Sequence, residues 1–411
     1  MYRILWYSPY ALHDLSSGAA FQCRGMLEWL RRCYAGRLEV AVLCATVFDD
    51  PRGAHFLQGL GGADARAGEL FCFEHNGLTC HYLRTGAARD RDLRSGDKRP
   101  LLERYLLLLR EFRPDLLIGY GDDPLFRAVY ADAAHRGIPG VYCVCNPNYR
   151  PSAFAHCERV LTDSRATAAY YARTSGINFV SVGTFIDPDR VLAAPGGSRS
   201  YVTLINPSLN KGLSLFVRIA AMAREQLPGQ RFLLVVNRGS LQHGLAQLHD
   251  TDRGPQASAW SLPDNVDVME HTDDVRTVYA ATRVLLAPSL WFECWGRVAT
   301  EAVLNGIPVL CSRSGGLPEA AGAEQGAAVC LEAPAPCRRD YRVVPDARTM
   351  QPWLDALKQL LEGDFTAACA RAAALHDPRH SAQRAMAALE PLLARHAGRR
   401  ARMLRTGLVL A

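Results

Sequence analysis

Apolar residues recur along the first 190 positions in two alternating patterns. Short continuous apolar runs, RILWYSP from Arg3, LEVAVLCAT from Leu38, DLLIGYG from Asp115 and PGVYCVCN from Pro139, predict buried strands. Between them, GAAFQCRGMLEWLRRCY, LLERYLLLLREF and LFRAVYADAAHRG carry apolar residues at helical spacing. RVLTD and FVSVGTF complete the strand set. Alternation of buried strands with amphipathic helices predicts a parallel, doubly wound α/β sheet.

VLAAPGGSRS, residues 191–200, breaks the pattern and reads as a linker. The alternation then restarts. YVTLIN, RFLLVVN, NVDVME, RVLLAPS and IPVLCS are strand-like; LSLFVRIAAMAREQLP, VRTVYAAT and RVATEAVLNG are helix-like. Amphipathic helices MQPWLDALKQLLEG and SAQRAMAALEPLLARH follow. The expected organisation is therefore a Rossmann-like domain over 1–190, a linker over 191–200, a second Rossmann-like domain over 201–375, and a C-terminal helix with a basic tail over 376–411. Two such domains leave a cleft, and ligands bind at the carboxyl ends of parallel strands.

Composition narrows the class. Of 411 residues, 49% are hydrophobic and 21% charged, which suits a soluble protein with sizeable cores. No apolar run is long enough to span a bilayer, and MYRILWYSPY reads as a first strand rather than a signal peptide. Thirteen cysteines without a C-x-x-C pair point to reduced thiols in a cytoplasm. The net charge of +6 is carried almost wholly by arginine, and lysine occurs only at 98, 211 and 358. Lys211 follows a strand end in Asn-Lys-Gly, a placement that points a charge toward the cleft.

WFECWGRVATEAVLNGIPVL, from Trp291 to Leu310, holds Glu293 and Glu301. A helix opened by Gly296 and stopped near Gly306 puts Glu293 just before its start and Glu301 inside it. Eight residues at helical rise span about 12 Å. That exceeds the roughly 5 to 9.5 Å separating glycosidase carboxylate pairs, and it is too wide to share one metal ion. The pair suits an elongated ligand, with the helix start and its dipole attracting phosphate between them and Gly296 permitting close approach. The bland alternative is two solvated acids on a helix.

Pro288 to Glu319, PSLWFECWGRVATEAVLNGIPVLCSRSGGLPE, resembles the donor-site signature of retaining GT-B glycosyltransferases of the large family-four type: PS-x(3)-E-x-x-G-x(4)-E-A, then G-x-P-V and GG-x-P-E. NKGL at Lys211 is similar to their lysine–glycine motif. PDNVDVMEHTDDVRTVYAATRVLLAPS resembles the segment passing the nucleotide base. HCERVLTDSRATAAYYARTSGINFVSVGTFID resembles the end of their N-terminal domain, and SSGAA at 16–20 stands where they have a first glycine-rich loop.

The resemblance implies a GT-B fold and metal-independent, retaining transfer from a nucleotide diphosphosugar, a UDP- or GDP-sugar, with no cofactor. Glu293 would bind sugar hydroxyls and Glu301 the ribose. The backbone of Trp295, Gly296 and Arg297 would meet the diphosphate, and Lys211 would neutralise it as it leaves. Gly315 and Gly316 would lie near sugar and phosphate, with Glu319 beside them, and Gly18 would bring amides from the first domain. The implied acceptor is a cell-surface glycan or lipid-linked intermediate. The implied location is cytoplasmic, with peripheral contact at the inner membrane face as an extension.

Two departures stand out. The family carries an arginine about six residues before the lysine, where this chain has Ile205 and Asn206; Arg238 is the substitute considered. A histidine after the fourth strand is replaced by Asn146, and His13 is the alternative basic group. These departures keep open a non-catalytic nucleotide-sugar-binding subunit, alongside a same-fold enzyme acting on a small molecule or protein. Asp90-Arg91-Asp92 and Asp187-Pro188-Asp189 read as loop acids rather than metal ligands. G-x-G-x-x-G, a P-loop and G-x-S-x-G are missing from the sequence, and no stacked nucleic-acid platform is evident. The basic, then apolar tail from Arg395 is expected to pack back on the first domain, with an anionic membrane surface as the alternative.

Overall fold

The computed structural model describes residues 1–59, 65–86, 93–237, 239–250 and 260–405. They fall into two units, Met1–Phe185 with Pro378–Ala411, and Ile186–Asp377.

The first unit is built on an eight-stranded sheet. Its strand order is Leu70–His75, Leu78–Leu83, Leu38–Val47, Tyr2–Tyr10, Leu116–Gly119, Gly140–Val144, Arg159–Thr162 and Val180–Ser181. Tyr2–Tyr10 is central, so Ile4 to Tyr7 are fully buried and the strand reads as one apolar run. All neighbours pair in parallel except the first two strands, which form an antiparallel hairpin. Asn76 and Gly77, both at positive φ, make its two-residue turn. The helix Pro378–Arg405 returns to this unit. It buries Ala385, Leu389 and Leu393, while the Arg384 Nε and Arg159 Nη1 groups donate to the carbonyls of Val182 and Ala388 at 3.0 and 2.6 Å.

Within the hairpin, His81 is nearly buried and its Nδ1 lies 2.9 Å from Arg104 Nη2 and 3.0 Å from Cys72 Sγ. Burial, and then the Arg104 charge, lower its pKa from 6.5 to about 4. Between these two values the unfolded chain binds the extra proton and the folded chain does not. Stability is therefore expected to fall as pH drops from 6.5 to 4. His81→Asn should flatten this dependence, so that urea midpoints of the two proteins run parallel above pH 6.5 and converge or cross below it. Parallel midpoints throughout would remove His81 as the cause.

The second unit has a six-stranded parallel sheet. Its order is Val266–Met269, Arg231–Val235, Tyr201–Ile205, Thr282–Ala287, Val309–Ser312 and Ala328–Leu331. Leu213–Gln226 and Ala347–Glu362 cover one face with Phe216, Trp353 and Leu357; Arg297–Leu304 and Thr366–Leu375 cover the other with Ala299, Ala302 and Ala372. The expected linker belongs to this unit. Asn305 accepts from Ala193 N at 2.8 Å and donates to Val191 O at 3.0 Å, fastening 191–193 to the end of the Arg297–Leu304 helix. The unit boundaries fall at 185/186 and 377/378, where the sequence pattern placed breaks at 190, 200 and 375. Tertiary contacts such as those of the Asn305 side chain, which composition does not register, hold 191–193 to the second unit.

Strand order reverses around Tyr201–Ile205. The chain goes one way from it to Arg231–Val235, and the strand on its other side is Thr282–Ala287. The loops leaving these two strands, 206–212 and 288–296, thus open at a topological switch point, where parallel sheets bind ligands.

Candidate functional site

At the end of Tyr201–Ile205, Asn206 takes a left-handed φ of +62° and turns the chain out of the sheet. A short turn, Leu209–Lys211, follows, and Gly212 at φ +88° opens the helix Leu213–Gln226. A Cβ on Gly212 would stand 2.1 Å from the Pro288 carbonyl oxygen, so only glycine lets the two loops touch here. Asn210 O then accepts from Leu290 N and Trp291 N at 2.9 and 3.2 Å. This clamp sets Lys211 beside Glu293, and Lys211 Nζ forms an ion pair with Glu293 Oε1. The buried Ser289 hydroxyl donates to the same oxygen at 2.7 Å. Glu293 is mostly buried at 13% side-chain exposure, whereas Lys211 keeps 32%. The charge pair therefore opens on its lysine side.

A third loop fixes Glu293 from behind. Gly316 N donates to Glu293 O at 2.7 Å, and the Ser314 hydroxyl donates to Trp291 O at 2.6 Å. Gly315 has φ +56°, and a Cβ there would lie 2.1 Å from Glu293 O. Glycine is thus required at 315, where two backbones meet, a reason the sequence pattern did not supply. Glu319 follows in the turn Leu317–Ala320, half-buried.

Gly296, at φ +112°, caps the helix Arg297–Leu304, and a Cβ there would fall 2.5 Å from Leu317 Cδ1. The four residues from Glu293 to Gly296 lie outside the helix, so a full helical rise does not set the Glu293–Glu301 spacing. Glu301 is buried. Tyr279 OH donates to its Oε2 at 2.8 Å and Arg297 Nη2 to its Oε1 at 3.1 Å. Burial, and then the Glu301 charge, push the Tyr279 phenol well above its ordinary pKa, so it remains a donor. Each carboxylate oxygen still has acceptor capacity for a ligand hydroxyl. The Trp295 indole turns inward, donating to Thr300 Oγ1 at 2.9 Å and meeting the His376 ring edge-on at 5.5 Å. Its side chain anchors the helix start and leaves only its backbone for a ligand.

Lys211, Glu293, Trp295, Gly296, Arg297, Glu301, Gly315, Gly316 and Glu319 all lie in the second unit, on the loops and helix that leave adjacent strand ends. Ser289, Tyr279 and Asn210 complete the arrangement and were missed. Ser289 stands inside the quoted motif, whereas Tyr279 reaches Glu301 across 22 positions with no local signal. Gly18 belongs to the first unit, as the first residue of Gly18–Cys33; it is exposed, and a Cβ there would meet nothing within 4 Å. Arg238 and Asp90–Asp92 lie outside the described residues. Asp187 caps the turn Pro188–Arg190, accepting from Asp189 N at 3.3 Å. His13 is fully buried, stacked on Phe56 at 4.4 Å and 2.7 Å from Tyr82 OH, so it is a packed core residue rather than a surface base.

Residues 201–337 match the family model described as "Glycosyl transferases group 1". Among solved structures, the Anabaena protein Alr3699/HepE in complex with UDP has a TM-score of 0.63 at 16% identity, covering 95% of this chain and 100% of that one. Sucrose-phosphate synthase from Thermosynechococcus elongatus has a TM-score of 0.59 at 17% identity, covering 99% and 100%. The catalytic domain of starch synthase IV from Arabidopsis thaliana, bound to ADP and acarbose, has 0.58 at 14%, covering 97% and 99%. No curated protein sequence matches the chain. At these identities the structural likeness is one of fold, which is GT-B.

Proposed function

We propose, from the premise that residues 201–337 are a glycosyl transferases group 1 domain in a chain of GT-B fold, that the protein transfers a sugar from a nucleotide diphosphosugar with retention of configuration. The observation that carries this reading is the Lys211–Glu293 pair at the switch point, followed at once by the start of the helix that bears Glu301.

In this reading the diphosphate lies at the helix start, against the backbone amides of Trp295 to Arg297. Glu301 holds the ribose hydroxyls and Glu293 the sugar hydroxyls. Lys211 exchanges its contact with Glu293 for the leaving phosphate. The bond from the sugar's anomeric carbon to phosphate oxygen breaks while the acceptor oxygen bonds to that carbon on the same face. The acceptor's proton passes to the departing phosphate oxygen, which makes a protein base unnecessary. Lysine, arginine and helix dipole meet the developing charge, and the reading requires neither metal ion nor cofactor.

The first unit is assigned the acceptor, while Gly18 is assigned to the donor diphosphate on the sequence resemblance alone. A cell-surface glycan or lipid-linked acceptor, and a peripheral place at the inner membrane face, rest on the sequence resemblance alone. No helix among the described residues is long and apolar enough to cross a membrane. Solved neighbours carry UDP in one case and ADP in another, so the fold does not select the base.

Thermal unfolding with UDP, GDP, ADP and their glucose and mannose forms tests the donor site. A ligand bound only to the native state at 100 times its Kd adds about 2.7 kcal/mol. One nucleotide series is expected to raise Tm, and its sugar form to be turned over. Ile205 and Asn206, in place of the family arginine, favour the second reading, a non-catalytic nucleotide-sugar-binding subunit. Binding without transfer or hydrolysis would support it, and no shift with any nucleotide would overturn both.

A further inference from the structure

Two cysteines that this chemistry does not use face each other across the edge of the second unit's sheet. Val309–Ser312 and Ala328–Leu331 pair in parallel, with Cys311 directly opposite Cys330, and the Sγ atoms are 3.3 Å apart. Neighbouring strands lie about 4.8 Å apart, and in-register Cα atoms at that spacing fall inside the 4.4 to 6.8 Å range a disulfide spans. Cys311 is fully buried, whereas Cys330 is half-buried on the outermost strand of the sheet. Among the described residues no strand lies beyond Ala328–Leu331, so closing the gap moves one strand only.

We propose that Cys311 and Cys330 are a dithiol modification site, converted by a small-molecule disulfide such as glutathione disulfide into an intramolecular disulfide across this sheet edge. Cys330 is the attacking thiol. The hydrogen bond from Cys311 lowers its pKa against the penalty of burial, and the Arg313 charge lowers it further. Arg313 is held there by its Nη2 bond to Cys330 O at 3.1 Å, and it also faces Glu332 at 3.7 Å. Cys311 is pushed up by the same contact and by burial, and so serves as the resolving thiol.

The Cys330 thiolate bonds to one sulfur of glutathione disulfide and expels glutathione thiolate, which takes up a proton. Cys311 loses its proton, attacks Cys330 Sγ in the mixed disulfide, and expels the second glutathione. Two protein thiols are oxidised and one glutathione disulfide is reduced to two glutathiones. The reaction is independent of any donor sugar. It would nevertheless lock the strand that runs directly into Ser312–Gly316, the loop that supports Glu293.

The folded full-length protein should be incubated with glutathione disulfide, alkylated, digested and weighed. A peptide pair joining 311 to 330 and lighter by two hydrogens is expected, and dithiothreitol should reverse it. Cys311→Ser should instead accumulate glutathione on Cys330, and Cys330→Ser should leave Cys311 unmodified. The Cys23–Cys145 contact, at 3.8 Å, is the internal comparison. Burial and the neighbouring thiols push Cys23 far up, so no cross-link is expected there. Wild-type protein that carries glutathione on Cys330 without closing the bridge, or in which neither thiol reacts while folded, would overturn the proposal.

Discussion

Lys211→Ala is expected to lower kcat/KM for sugar transfer by about 10²- to 10³-fold, the usual effect of removing one preorganised group that meets developing charge. The phosphate gains charge as the glycosidic bond breaks, so the loss should fall mainly on kcat and only modestly on KM. The structure gives this lysine no other work. Its side chain is one-third exposed, lies outside the buried core of its unit, and pairs with Glu293. Loss of the ion pair should therefore cost little stability, since partly exposed pairs contribute about 0 to 1 kcal/mol. Urea midpoints close to wild type beside a collapsed kcat would separate chemistry from folding. Lys211→Arg is a useful companion. The flexible ammonium reaches one phosphate oxygen as a point charge, whereas the planar guanidinium requires a fork geometry, so arginine should recover only part of the rate. A Lys211→Ala protein with undiminished kcat would remove the lysine from the reaction and require another group to meet the leaving diphosphate.

The placement of this lysine shows which parts of the molecule were legible in the chain. The continuous apolar runs RILWYSP and RVLLAPS could only be strands buried on both faces, and both are central in their sheets. From that and the helical spacing between strands, the strand-end position of Lys211 and Glu293 followed. The hairpin at 70–83 was not read, although Asn76-Gly77 is a strong turn signal. Leu70–His75 lies at the sheet edge with exposed and half-buried positions alternating, and Leu78–Leu83 interrupts its apolar residues with Thr79 and His81, so neither forms a continuous buried apolar run. Tyr279 could not be found because its hydroxyl meets Glu301 through tertiary packing of two helices. Trp295 stands just before the start of the Arg297–Leu304 helix, but its indole direction depends on Thr300 and His376, and no motif encodes that. The glycines were legible as turns; that Gly212 and Gly315 each admit a neighbouring carbonyl at 2.1 Å from an added Cβ emerges only when the loops are brought together.

Glu301→Gln is expected to weaken nucleotide binding by about 10- to 100-fold, since hydrogen bonds to a charged group contribute about 1.5 to 3 kcal/mol and each factor of ten is 1.4 kcal/mol. Glutamine is the informative change. Its amide oxygen can still accept from Tyr279 or Arg297, which now hold the carboxylate at 2.8 and 3.1 Å, whereas alanine would strip a partner from the buried phenol and add a folding defect. The assay is nucleotide-induced stabilisation at a fixed ligand concentration. At 100 times the wild-type Kd, a hundredfold loss of affinity cuts the gain from about 2.7 to about 0.4 kcal/mol. Tyr279→Phe leaves the carboxylate but removes its anchor, so a smaller loss is expected there, with Arg297 still holding one oxygen. If Glu301→Gln is stabilised as strongly as wild type while Tyr279→Phe is not, the buried acid is a packing element for the helix and the ribose hydroxyls are held elsewhere. If both lose stabilisation in the expected order, the carboxylate is the ligand and the phenol is what aims it.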